Sequence, residues 1–145
     1  MTLEQTKCSK IFRPIKDIFK IGDTVETEYI VTATDLAMFN GQMVHPFFST
    51  FALGREAEWC CRQFVLQCKN EDEEGIGTFL NISHLSPALL GESVKFVAEI
   101  IEINHNTINC SWEAMVDQRK VASGTQGQKV LHNNKINALK QSIKN

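Results

Sequence analysis

TFALGREAEWCCRQFVLQC, Thr50 to Cys68, decides how the rest of the chain is read. It holds no proline, and Gly54 is its one helix breaker. Apolar residues fall on most sides: Phe51, Ala52, Leu53, Ala57, Trp59, Cys60, Cys61, Phe64, Val65 and Leu66. A helix that is apolar nearly all round is a buried helix. This one is too short and too charged to span a bilayer.

The flanks read differently. Before the helix, Thr24 to Thr32 (TVETEYIVT) is rich in β-branched residues and predicts a strand. Ala33 to Asn40 reads as a short helix, and Asn40-Gly41 as a turn. After it, Lys69 to Gly75 reads as an exposed loop, and from Gly77 the apolar period drops to two. Thr78, Leu80, Ile82 and His84 share one strand face; Val94, Phe96, Ala98 and Ile100 share the next. Ile108, Cys110, Trp112, Ala114 and Val116 alternate with Asn109, Ser111, Glu113, Met115 and Asp117. A last strand runs from about Lys120 to Leu131. The breaks at Ser86-Pro87, His105-Asn106 and Asp117-Gln118 suit short antiparallel connections.

Four such strands cannot bury both faces of a sheet alone, so the long helix must lie on one face with the sheet curled round it. The expected class is α+β, a curved antiparallel sheet wrapped round one central helix, which is the hotdog arrangement. A cystatin-like or cone-shaped sheet has the same order of elements, and periodicity does not separate the two.

The bulk numbers agree with one domain. The chain has 145 residues, 43% of them apolar and 22% charged. Its expected core covers about 20–132, with a looser polar tail over 133–145. The formal net charge is −2, and the longest charge run, Glu71 to Glu74, is acidic, so nucleic acid is not an expected partner. No stretch is apolar enough to be a membrane span. Met1 to Lys10 is polar and has no signal-peptide core, which leaves a cytoplasmic location as the expectation. Cys8, Cys60, Cys61, Cys68 and Cys110 are odd in number and form no Cys-x-x-Cys pair, so reduced thiols packed as small hydrophobes are expected. His45, His84, His105 and His132 have no zinc-ligand spacing, and no metal is expected.

Four features suggest chemistry. Glu58 lies mid-helix in the most apolar part of the chain, where an unpaired charge is costly. It either pairs with Arg55 or Arg62 along the helix, or faces a cleft as a base or nucleophile. His84 points by strand parity towards the helix, as a core residue or as a partner for a helix carboxylate or hydroxyl. Thr50 opens the helix, where a hydroxyl is first of all an N-cap, with Ser49 competing for that place. Eight residues of helix rise about 12 Å, so Thr50 and Glu58 do not meet in one regular helix. Gly75-Ile76-Gly77-Thr78 is a turn, or a segment whose free amides form an oxyanion hole.

Taken together, these residues resemble a known family. Thr50, then Glu58-Trp59 eight residues later, Gly77-Thr78, His84 seven residues after Gly77, Pro87, Gly91 and Ser123-Gly124-Thr125 are similar to the fluoroacetyl-CoA thioesterase group of hotdog proteins. The resemblance spans about Thr24 to Leu131. It implies an acyl-CoA thioesterase working as a homodimer, with the acyl-CoA arm entering between subunits. Thr50, Glu58 and His84 would be catalytic; Gly77 and Thr78 would bind substrate, the backbone at Gly77 holding the acyl carbonyl. No cofactor is implied, CoA being part of the substrate. Where the fluoroacetyl-specific member has an arginine after its Gly-Thr step, this chain has Gln126 and Gln128. Val44-His45-Pro46-Phe47-Phe48 does not reproduce that member's aromatic gate. Thioesterase chemistry is implied, and selectivity for a fluorinated acyl group is not. Two rivals stand beside it: a domain that binds acyl-CoA or a small acid without turnover, and an enoyl-CoA hydratase. The hydratase needs an Asp/His pair, and no Asp lies near His84.

Overall fold

Thr50–Cys68 forms the expected helix, here α2. In the computed structural model residues 14–145 are described; the reading of Met1 to Lys10, and Cys8, lie outside the described residues. Before α2 come α1 (Ile15–Ile18), β1 (Thr24–Ile30), a 3-10 turn (Ala33–Asp35), β2 (Leu36–Phe39) and β3 (Gln42–Phe48). After it come β4 (Glu73–His84), β5 (Ser93–Asn104), β6 (Thr107–Val116), β7 (Arg119–His132) and α3 (Asn133–Lys144). The main sheet has five antiparallel strands in the order β1-β5-β6-β7-β4.

The sheet wraps α2 as a hotdog fold does. Leu53, Ala57, Cys60, Cys61, Phe64 and Val65 of the helix are buried together with Phe96, Ile100, Ile108, Cys110 and Trp112 of the sheet. Each large side chain among them contributes about 1.5–3 kcal/mol by leaving water. Cys60, Cys61 and Cys110 are buried free thiols, and burial raises the pKa of Cys60. The helix is not covered all round, however. Phe51 is 84% exposed and Trp59 48%, so one stripe of α2 faces out of the wrap.

Several expectations are corrected. Ala33 to Asn40 is no helix. Asp35 Oδ2 accepts from the Thr32 amide and hydroxyl, both at 2.8 Å, and from Tyr29 Oη at 2.6 Å, closing a single 3-10 turn that the chain leaves in extended conformation at Leu36. The chain then turns back at Asn40 (φ 52°) and Gly41 (φ 79°), a left-handed pair suited to a two-residue hairpin. This joins β2 to β3, a hairpin the sequence reading missed. Strand β4 begins at Glu73, inside the stretch read as a loop, where Glu73 is paired with His132. The break at Ser86-Pro87 is not a hairpin. Strand β4 pairs with β7 instead, and residues 85–92 carry the chain to β5, past the two intervening strands β7 and β6. The tail read as loose is the helix α3, its first turn capped by the His132 ring, which accepts from the Asn134 amide at 3.0 Å.

One correction bears directly on the site. The β4–β7 register shifts between Gly77 and Phe79, which leaves Thr78 as the extra residue of a β-bulge. Thr78 therefore does not share a face with Leu80 and Ile82. Its hydroxyl lies beside the outer side of Gly127, next to the Phe79 ring. The bulge also restores parity: Gly77 and His84 are an odd number of residues apart, yet both face the helix.

Candidate active site

Strand β4 runs antiparallel to α2 and packs along it. Leu80 and Ile82 touch Gly54, Gly77 meets Glu58 and Gly75 meets Val65. At the far end His84 meets Thr50.

That last contact is a hydrogen bond. Thr50 Oγ1 and His84 Nε2 are 2.8 Å apart. The Thr50 hydroxyl is free for it because Ser49 caps the helix, its Oγ accepting from the Ala52 amide at 3.0 Å. Ser49 is in turn fixed by its own amide, which donates to the Asp35 carbonyl at 2.9 Å. The pair opens onto a cleft of about 380 Å³ walled by Phe47, Phe48, Leu85 and Pro87, with His45 also lining it.

Glu58 forms a second pair, with Gly77. A Cβ built on Gly77 would lie 2.5 Å from Glu58 Oε1, so the carboxylate occupies the space that the missing side chain leaves. The two share a cleft of about 230 Å³ with Arg55, Trp59, Arg62, Gly75 and Gln128. Neither arginine neutralises Glu58. Arg55 binds Glu56 at 2.6 Å, Asp35 at 3.0 Å and Tyr29 Oη at 3.1 Å, while Arg62 binds Glu74 at 2.8 Å. Asp35 is a firm anchor for Arg55. Burial pushes its carboxyl up, but hydrogen bonds from Tyr29, Thr32 and Arg55 outweigh that and hold it below the usual carboxylate range. The helical pairing weighed for Glu58 thus goes to other acids.

The sequence-named residues form two pairs rather than one trio. Thr50 and Glu58 stay about 12 Å apart along the regular helix. Gly77 and His84 are separated by roughly 20 Å of strand. Thr50, Glu58 and His84 are all exposed in the single chain. Among the described residues, no group of three or more His, Cys, Asp and Glu side chains is placed to hold a metal ion. Among them, too, no helix is long and apolar enough to cross a membrane.

The family follows from a match over most of the wrapped unit. The model of the fluoroacetyl-CoA-specific thioesterase family matches residues 31–134. The chain belongs to this family. Solved structures give the same fold. A hypothetical protein of Thermus thermophilus, described as a thioesterase superfamily member, is 29% identical with a TM-score of 0.82, over 92% of this chain and 96% of that one. A hot-dog-like protein from Thermanaerovibrio acidaminovorans is 20% identical, with a TM-score of 0.80 over 88% and 95%. The fluoroacetyl-CoA thioesterase FlK is 18% identical, with a TM-score of 0.78 over 86% and 96%. No curated protein sequence matches the chain.

Gln128 is the site residue that sequence reasoning missed. It entered there only as a difference from the family's arginine. A polar residue at an inward position of β7 was the available signal, but Gln126 carries the same signal and lines neither cleft.

Proposed function

We propose that the protein hydrolyses acyl-CoA thioesters to free acid and CoA. The observation that carries this is the pairing of chemistry along one helix–strand seam: a hydroxyl on an imidazole at one end, and at the other a carboxylate set over a glycine backbone, with no cationic partner among the described residues. Glu58 takes a proton from water, or attacks directly. Thr50 Oγ1 positions that water or serves as nucleophile, with His84 as its proton partner. The oxygen adds to the thioester carbonyl carbon, and the carbonyl oxygen gathers charge against the amides at Gly77-Thr78. The C–S bond then breaks, and the thiolate leaves and takes up a proton; where Glu58 or Thr50 is the nucleophile, water then cleaves the acyl-enzyme bond, releasing the acid and restoring the residue. No cofactor enters these steps. The test is release of free CoA across a panel of acyl-CoAs, followed with a thiol reagent. Release is the expected result; binding without release would favour the non-catalytic alternative.

We further propose that the working unit is a homodimer joined along β4. This strand is a sheet edge, and unpaired edges invite another chain. It carries the exposed apolar side chains Ile76, Phe79 and Leu80, and the open stripe of α2 adds Phe51, Trp59 and Leu66. A two-fold axis between Leu80 and Asn81 would set His84 against the partner subunit's Gly77. It would also bring Thr50–His84 of one subunit to Glu58 of the other and shield both from bulk water. The expected result is complementation. Glu58→Gln and His84→Ala chains are each inactive alone, but unfolded together and refolded they regain about a quarter of wild-type activity, because half the dimers are mixed and each holds one intact site. No activity above either parent would contradict a site shared between subunits.

A further inference from the structure

We infer that Gln128 is a positioning residue that sets the distance between the Glu58 carboxylate and the Gly77 backbone. The inference rests on the proposed role of Glu58. Gln128 is only 3% exposed, and its Nε2 donates to the Cys61 carbonyl at 2.8 Å, between β7 and α2. Both ends of this bridge are at the site. Gln128 is the cross-strand partner of Gly77, and Cys61 lies one helical turn after Glu58. The side chain also lines the cleft that Glu58 and Gly77 share.

The bridge is not needed to satisfy the Cys61 carbonyl. Mid-helix, that oxygen already accepts from the amide four residues on. The glutamine adds a second donor where none is required, and what it adds is a fixed spacing between helix and strand. The strand is held from its other face as well. Gly127 lacks the side chain that would collide with Phe79, with the Thr78 hydroxyl (2.6 Å from a built Cβ) and with the Asn109 amide oxygen (2.7 Å). The bulge at Thr78 therefore seats against β7 outside while Gln128 ties β7 to the helix inside. The Gly77-Thr78 backbone is fixed between them.

Gln126 is the natural control. It lies two residues before Gln128 on the same strand, is 1% exposed, and neither of its amide atoms has a hydrogen-bond partner among the described residues. Four proteins are compared in steady-state kinetics: Gln128→Met, Gln126→Met, Glu58→Gln and wild type. The substrate is whichever of acetyl- to decanoyl-CoA the wild type cleaves fastest. Methionine keeps the volume and removes the donor. Gln128→Met is expected to fold and to lose about ten- to a hundredfold in kcat with KM within about twofold, because small misplacement of reacting groups carries that cost. Gln126→Met is expected to match wild type. If Gln128→Met does not fold, Gln128→Asn, which keeps the amide but draws it back by one methylene, is expected to show the same split. Wild-type kcat in the folded Gln128 variant beside an inactive Glu58→Gln would overturn the inference and leave the proposed function standing. So would a lowered melting temperature with unchanged kcat, or an equal loss in Gln126→Met. Full activity in Glu58→Gln would instead remove the catalytic role of Glu58, and the inference with it, while acyl-CoA hydrolysis would stand.

Discussion

Glu58→Gln is expected to leave the fold and CoA binding intact and to remove at least ~10²-fold of the hydrolysis rate, since general acid–base help is typically worth ~10²–10⁴-fold. The amide is nearly isosteric with the carboxyl, so no cavity forms. Glu58 makes no ion pair with Arg55 or Arg62, which are held by Asp35, Glu56 and Glu74, so the substitution breaks no salt bridge between them. What it removes is the ability to take a proton. Thermal unfolding and kcat/KM measured on one preparation separate the two effects. Full activity in a folded variant would sink the catalytic assignment of Glu58.

Gly77→Ala is expected to show the same separation from the opposite side of the contact. The new Cβ would lie 2.5 Å from Glu58 Oε1, closer than real Cβ contacts come. Gly77 does not occupy the left-handed region, so alanine can adopt its backbone. The carboxylate is the far end of a flexible side chain and can swing away. The melting temperature should therefore move little. The rate should fall about a hundredfold, because displacing a reacting group by an ångström or so costs that much. An unchanged kcat/KM would mean that the carboxylate does not act from where it rests.

The parts legible in the sequence were those where a single period governs many residues. The apolar run at Thr50–Cys68 and the alternation from Ile108 to Val116 gave the wrapped helix and its strands, because burial imposes those patterns over many residues at once. The β2–β3 hairpin escaped because Leu36–Phe39 is only four residues long and follows an Asp35 cap that is held in part by Arg55, 20 residues further along the chain. The pairing of β4 with β7 escaped because periodicity names a strand's faces and not its neighbours. At the site, the Thr50–His84 contact follows from parity and from the helix start. The bulge at Thr78 does not: it is a register event between two strands, and it decides that Gly77 faces Glu58. The stripe of α2 left open at Phe51 and Trp59 shows the limit of reading an all-round apolar helix as fully buried, since apolar surface can equally meet a second chain.

The most direct measurement is the fate of solvent oxygen. Wild-type protein is incubated with an acyl-CoA panel that includes enoyl-CoAs, in ¹⁸O-water, and the products are resolved by mass spectrometry. The expected result is free CoA together with a carboxylic acid carrying solvent ¹⁸O in its new carboxyl group, at a rate abolished with Glu58→Gln. An intact CoA thioester bearing a new ¹⁸O-hydroxyl, or bound acyl-CoA recovered unchanged, would contradict thioester hydrolysis.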